Sequence, residues 1–238
     1  MQRGGGDPPP LLVHDGPVAL VGAGPPDGLE AALSRAGRVV AADGGAAASL
    51  AAGRVPDAVI GDLDSLDAPS RAAIPAERIH RMGGQDDTDF EKCLKRIRAP
   101  LVLAAGFLGG RADHALAALG ALPRFPRCVL VGAEDCVRAL PEGETRLDLP
   151  PGGRVSLFPL VPVTGRSEGL EWPIDGLALS PTGRVGTSNR ATGPVRLAMH
   201  GPGCLLILPA EALDAMVQGS GWISSNGVPQ GSDTKAKS

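Results

Sequence analysis

From Pro17 to about Cys136, short apolar runs alternate with helix-like stretches, and this alternation limits the possible folds more than any other feature. Candidate strands are Pro17–Gly22, Arg38–Ala42, Ala58–Ile60, Arg78–Arg81, Leu101–Ala105 and Cys128–Val131. Candidate helices are Leu29–Arg35, Ala46–Ala52, Phe90–Ile97 and Ala115–Leu122. Strands that alternate with helices predict a parallel sheet covered on both faces. Ligands of such sheets bind beyond the carboxyl ends of the strands.

After about Val137 the helical periods vanish. Short runs at 146–149, 154–160, 169–179, 184–188, 195–199 and 204–208 are separated by Gly and Pro, which predicts a small antiparallel sandwich. The expected fold class is therefore α/β plus all-β: an α/β domain over residues 15–136, then a β-sandwich over 137–217. Polar segments rich in Gly, Ser and Pro at 1–14 and 218–238 read as flexible termini.

The 34 glycines and 23 prolines fall between well-distributed apolar runs, so they read as turns. A net charge of −3 provides no basic field for nucleic acid or an acidic membrane surface. Aromatics make up 3% and tyrosine is absent, which argues against base-stacking modules. No run approaches the ~18 apolar residues of a membrane helix. The four cysteines show no C-x-x-C or zinc-ligand spacing and are expected to be buried free thiols in a reducing, cytoplasmic setting.

The residues able to carry chemistry lie at the predicted strand ends. Asp43-Gly44-Gly45 follows the second strand and Gly61-Asp62-Leu63-Asp64-Ser65 the third. If the latter stays extended, Asp62 and Asp64 point to one side, an arrangement that suits a hard divalent cation such as Mg²⁺; a solvated acidic turn is the alternative. Gln85-Asp86-Asp87-Thr88-Asp89 opens a helix in which Thr88 and Glu91 fit a capping box, and Phe90, Cys93, Leu94 and Ile97 form its apolar stripe. Lys92, expected on the exposed face with Asp89, can meet a phosphate or be an ordinary surface lysine. Gly106–His114 is a glycine-rich entrance to the next helix, with Arg111 as a phosphate donor. Asp113 there can cap the helix, bind substrate or accept a proton. Gly22-Ala23-Gly24 departs from the dinucleotide fingerprint because Pro25-Pro26 follows, so it reads as a plain strand-to-helix turn.

Together these loops describe a nucleotide-phosphate site with a divalent metal. The ordered set A-D-G-G at 42–45, P-D-x-x-I-G-D-L-D-S at 56–65, D-D-T-D-F-E-K at 86–92, G-G-R-x-D-H at 109–114 and T-S-N at 187–189 resembles the thiamine pyrophosphokinase family. The resemblance spans about residues 17–210. It implies an α/β domain followed by a β-sandwich, and a homodimer with thiamine at the subunit interface. It also implies transfer of pyrophosphate from ATP to the hydroxyethyl group of thiamine.

By the same resemblance, Asp62, Asp64 and Asp89 correspond to the carboxylates linked to Mg²⁺. Asp43, Thr88, Lys92 and Arg111 lie near ATP, and Gln85, Asp113, Ser188 and Asn189 near thiamine. Trp172 matches an aromatic position that stacks on the thiamine pyrimidine or packs in the sandwich. Leu205–Leu208 carries no aromatic where some relatives have a Trp. A metal-dependent phosphoesterase and a nucleotide sensor on the same scaffold are the competing readings.

Overall fold

The computed structural model of the chain describes residues 9–84 and 86–220. Six strands run parallel: β2 (Val18–Val21), β3 (Arg38–Ala42), β4 (Ala58–Gly61), β5 (Ile79–Arg81), β7 (Val102–Ala105) and β8 (Cys128–Val131), in the spatial order β8-β7-β2-β3-β4-β5. Every residue of β2, β4, β7 and β8 is buried, as expected where helices cover both faces of a parallel sheet. The connecting helices are α1 (Leu29–Arg35), α2 (Gly45–Ala51), α3 (Ala68–Ala73), α4 (Asp89–Leu94) and α5 (Ala112–Ala121).

The side-chain period of two divides the core between the sheet faces. Ala19 and Val21 join one apolar cluster, whereas Val18 and Leu20 join the other. The first cluster continues without a break through Cys136, Leu157 and Leu197 to Met216. Two-fifths of the way along this core the chain changes from parallel to antiparallel pairing.

The change occurs where Gly132 donates to the Asp135 carbonyl (2.9 Å) and β9 (Asp135–Leu140) pairs antiparallel with β8, Leu130 opposite Val137. Beyond β9 follow β15 (Cys204–Pro209), β11 (Arg154–Pro159), β14 (Gly186–Met199), β12 (Val163–Leu170) and β13 (Ala178–Leu179), with β10 (Gly143–Leu147) also on β14. The antiparallel strands are thus not a detached sheet; one hydrogen-bonded path runs from β5 to β13. The runs at 184–188 and 195–199 belong to the single 14-residue strand β14, which pairs β11 through its first half and β10 and β12 through its second.

Helix α4 is shorter than its apolar stripe predicts. It stops at Leu94, and Ile97–Arg98 forms strand β6 against β1 (Leu12–Val13), so Ile97 packs in a two-stranded ribbon instead of on the helix. That ribbon orders part of the segment expected to be a flexible N-terminus. At the other end, α6 (Leu213–Gln218) and a bridge between Arg146 and Ser220 occupy the start of the expected flexible C-terminus. Among the described residues, no helix is long and apolar enough to cross a membrane, and all four cysteines are buried free thiols.

Candidate active site

The carboxyl ends of the parallel strands open into a cleft of about 740 Å³. Its walls are the loops after β2, β3, β4 and β7 and the amino-terminal turns of α4 and α5. The parallel topology brings these loops to one edge, so residues far apart in sequence converge there.

Asp43 lies where β3 turns into α2. Its backbone is left-handed (φ 45°), and its side chain tucks beside Gly61, where a β-carbon would stand 2.9 Å from the Asp43 Cβ. Gly45 is required for a similar reason, because a β-carbon there would lie 2.1 Å from the Val21 carbonyl oxygen. Asp43 Oδ2 accepts from the Ser65 amide at 3.0 Å, while its buried Oδ1 has no partner. Carboxylate oxygens of Asp43, Asp62 and Asp89 lie within 4.8 Å of one another. Burial, together with the charges of Asp62 and Asp89, raises the Asp43 pKa despite the Ser65 hydrogen bond.

Three clustered carboxylates and one orphaned buried oxygen fit a hard divalent cation held by oxygen ligands. The expected partner Asp64 does not join them. Leu63 adopts a left-handed backbone (φ 66°), which breaks the extended alternation that would have aligned Asp62 with Asp64. Asp64 is exposed, and its amide donates instead to Asp62 Oδ1 at 3.2 Å. Asp43, expected near the ATP phosphates, stands in the group in its place.

Helix α4 positions Asp89 and Lys92. Thr88 is its N-cap, and its hydroxyl accepts from the Glu91 amide while the Glu91 carboxylate accepts from the Thr88 amide, so the capping box is complete. Lys92 is not on an exposed face. Its side chain is 9% exposed, and Nζ binds Asp89 Oδ1 at 2.8 Å. The helix is short and buried on nearly every side, so its cation is held inside the cleft. Burial pushes the Lys92 pKa down, but the Asp89 hydrogen bond and the charges of Asp89, Asp62 and Asp87 outweigh it and the net shift is upward. Asp87 itself pairs with Lys95 at 2.6 Å.

Arg111 is the N-cap residue of α5 and lines the cleft. Its Nε and Nη2 grip Asp113 at 3.1 and 2.6 Å, and this bond holds the Asp113 carboxyl below the usual carboxylate range. Both side chains are exposed, and Asp113 makes no cap for the helix.

Three of the residues expected at thiamine, Asn189, Trp172 and Ser188, are absent from the cleft lining. Asn189 is buried and clamps the 172 backbone: Nδ2 donates to the Trp172 carbonyl (2.7 Å), while Oδ1 accepts from the Trp172 and Arg190 amides. Trp172 is 54% exposed and so is not a core tryptophan. Ser188 is exposed in a left-handed conformation (φ 59°), its amide bound to Ser156 Oγ. Among the described residues, those lining the cleft do not include Trp172, Ser188, Asn189, Asp113 or Asp64. Gln85 lies outside the described residues.

The sequence reading missed two parts of the wall. The turn after β2, Gly22–Pro25, lines the cleft although its motif fails as a fingerprint; the glycine pair ending a strand was its only signal. Phe107 meets Phe90 of the predicted apolar stripe, ring centroids 4.6 Å apart, and this aromatic pair in the cleft lining was not announced by any pattern.

Residues 29–129 match the family model described as thiamin pyrophosphokinase, catalytic domain. A rice protein named thiamine pyrophosphokinase 1 is 30% identical over 156 residues, covering 56% of this chain and 58% of its own length. The Arabidopsis thaliana protein of the same name is 29% identical over 157 residues, with the same coverage. The chain thus spans somewhat more than half the length of the curated relatives it matches. Among solved structures, thiamin pyrophosphokinase from Candida albicans superposes with a TM-score of 0.68 at 16% identity, over 81% of this chain and 90% of that one. The Geobacillus thermodenitrificans enzyme gives 0.68 at 22% identity, over 81% and 96%. These structural likenesses show the α/β plus β fold.

Proposed function

We propose that this chain, which belongs to the thiamine pyrophosphokinase family through the catalytic domain matched at residues 29–129, transfers the pyrophosphoryl group of ATP to thiamine. The observation that carries the proposal is the group Asp43, Asp62 and Asp89, one oxygen orphaned, beside buried Lys92 in a cleft lined mostly by the matched residues.

In this reaction the hydroxyethyl oxygen of thiamine attacks the β-phosphorus of ATP. The bond from that phosphorus to the α,β-bridging oxygen breaks, AMP leaves with the bonding pair, and the hydroxyl proton passes to solvent water. Asp43, Asp62 and Asp89 are the residues that would hold Mg²⁺, which when bound neutralises charge on the phosphate oxygens. Lys92 and Arg111 bring the protein's own positive charge to the phosphates, and Thr88 fixes the helix that carries Lys92. Arg111 must exchange its Asp113 partner for phosphate. Asp113, an exposed carboxylate released when Arg111 turns to phosphate, is suited to orienting the thiamine hydroxyl.

The functional division we assign is ATP and metal to residues 15–136, and thiamine and dimerisation to 137–217. Exposed Trp172 and Ser188 lie apart from the cleft residues, which supports a homodimer in which they reach thiamine in a partner's site. Four free buried thiols support a cytoplasmic setting.

The test incubates the purified chain with ATP, Mg²⁺ and thiamine and follows AMP and thiamine diphosphate together. Equal amounts of both, lost without metal, are expected. ATP consumed without thiamine diphosphate would replace the proposal with a phosphoesterase, and saturable ATP binding without turnover would replace it with a sensor.

A further inference from the structure

Helix α4 carries both Asp89 and Lys92 yet is only six residues long. A helix of that length needs support from the rest of the fold. The approaching chain offers little, since a β-carbon on Gly83 or Gly84 would meet nothing within 4 Å. Support comes from the opposite direction. Phe90, Cys93 and Leu94 share an apolar cluster with Ala118, Ala121 and Leu122, so the end of α5 and the 3₁₀ turn Leu122–Arg124 pack on α4. Apolar packing is non-directional, so the polar bonds at the first turn decide how Asp89 and Lys92 are aimed.

Those bonds meet at Glu91, whose two carboxylate oxygens have different partners. Oε2 accepts from the Thr88 amide and from the Thr88 hydroxyl, both at 3.2 Å, and closes the capping box. Oε1 is buried, accepts no hydrogen bond among the described residues, and is met by Nη2 of Arg124 in an ion pair. The Glu91 side chain is 10% exposed and that of Arg124 60%. A fully exposed pair would contribute little. A nearly buried carboxylate that loses its cation is instead left as an uncompensated charge. Turning outward to water would relieve that charge and open the cap. Arg124 ends the turn that follows α5, and Arg111 caps the start of that helix. The pair therefore ties α4 to the same element that brings Arg111 to the cleft.

We propose that Arg124 is a positioning residue for the cleft: by neutralising the buried Glu91 carboxylate it keeps the capping box of α4 closed and holds Asp89 and Lys92 in place for the metal and the phosphates. The proposal rests on the metal and phosphate reading above and extends it to a residue outside the cleft lining. Arg124 acts only through Glu91. The sign of its effect separates position from charge. Removing a cation near an acidic site strengthens Mg²⁺ binding if charge alone matters, whereas loosening the helix that carries Asp89 weakens it.

The experiment titrates Mg²⁺ alone into the full chain by calorimetry, with each protein held below its unfolding temperature. Wild type is compared with Arg124→Ala, Arg124→Lys, Glu91→Gln and the double variant Glu91→Gln/Arg124→Ala. Arg124→Ala is expected to weaken Mg²⁺ binding about tenfold or more, the usual scale for losing a group that orients a metal ligand. Arg124→Lys keeps the charge on a contact made by one nitrogen and should stay within about threefold of wild type. Glu91→Gln keeps a capping acceptor and removes the charge. Adding Arg124→Ala to it should therefore change Mg²⁺ binding by less than about twofold. This last comparison leaves no charge uncompensated, so it stands even where Arg124→Ala alone fails to fold. Unchanged or tighter Mg²⁺ binding in Arg124→Ala, an equal loss with and without Glu91→Gln, or no Mg²⁺ binding by wild type would each overturn the proposal. A wild type that binds Mg²⁺ and follows the expected pattern, yet forms no thiamine diphosphate, would sink the transfer reading and leave Arg124 its role.

Discussion

Replacing Asp43 by Asn should make the metal-free protein more stable while removing its response to Mg²⁺. Asp43 is buried, its Oδ1 has no partner, and Asp62 and Asp89 oxygens lie within 4.8 Å. Two like charges about 4 Å apart repel by roughly 4 kcal/mol at an effective dielectric of 20. Lys92 neutralises part of Asp89 and the Ser65 amide stabilises Asp43, so the net gain expected from Asn is about 1–2 kcal/mol. For a chain of this size that corresponds to about 2–4 °C in Tm per kcal/mol. The Asn side chain keeps an acceptor for Ser65 and turns a donor toward the neighbouring carboxylates.

The pH dependence follows from the raised pKa of Asp43. The folded state holds the Asp43 proton more tightly than the unfolded state, so ionisation costs stability as pH rises from the ordinary carboxylate value through the folded one. The advantage of Asn should thus be full above the folded pKa and vanish below the ordinary value. The assay is thermal unfolding of both proteins in EDTA across acid to neutral pH, repeated with Mg²⁺. Wild type should rise with Mg²⁺ and the variant should not. An Asn variant less stable than wild type in EDTA at neutral pH would refute the reasoning, because the carboxylate cluster would then not be a stored repulsion.

Three further outcomes follow from the same geometry. If the proposed transfer holds, Asp62→Asn and Asp89→Asn should each lower thiamine diphosphate formation by about a hundredfold or more with unchanged circular dichroism, since each removes one carboxylate of the group that would hold the metal. Arg111→Ala should raise KM for ATP while leaving Tm within about 1 °C, because its pair with Asp113 is exposed and contributes little to stability. Asn189→Ala should cost about 2–3 kcal/mol in chemical denaturation, from three hydrogen bonds lost at a buried site; a loss below about 0.5 kcal/mol would show that the clamp on the Trp172 backbone is not structural.

Much of the parallel half was legible because β2, β3, β4, β7 and β8 are largely buried apolar runs that end at Gly or Asp on the edge where ligands bind, whereas β5, Ile79-His80-Arg81, is not. The capping box at Thr88 and Glu91 was readable because it is a local bond pattern. Burial of Lys92 was not readable, since the i, i+3 spacing to Asp89 gives their proximity but not which side of a short helix the rest of the fold covers. Helix α4 ended early because Leu11 and His14 bind the backbone at Arg96 and Arg98, partners more than eighty residues away. The single strand β14 was concealed by Gly193-Pro194 in its middle, a pair that reads as a turn but lies where the strand passes from one partner to the next. Asp64 was misplaced by one backbone angle, at Leu63.

The antiparallel seam between β8 and β9 has a mechanical consequence. One hydrogen-bonded path and one apolar cluster cross it, so the parallel and antiparallel parts of the sheet share one continuous framework. Cutting the chain at the seam would leave β8 with a short but wholly apolar free edge, an invitation to self-association. One cooperative melting transition is therefore the outcome expected in calorimetry.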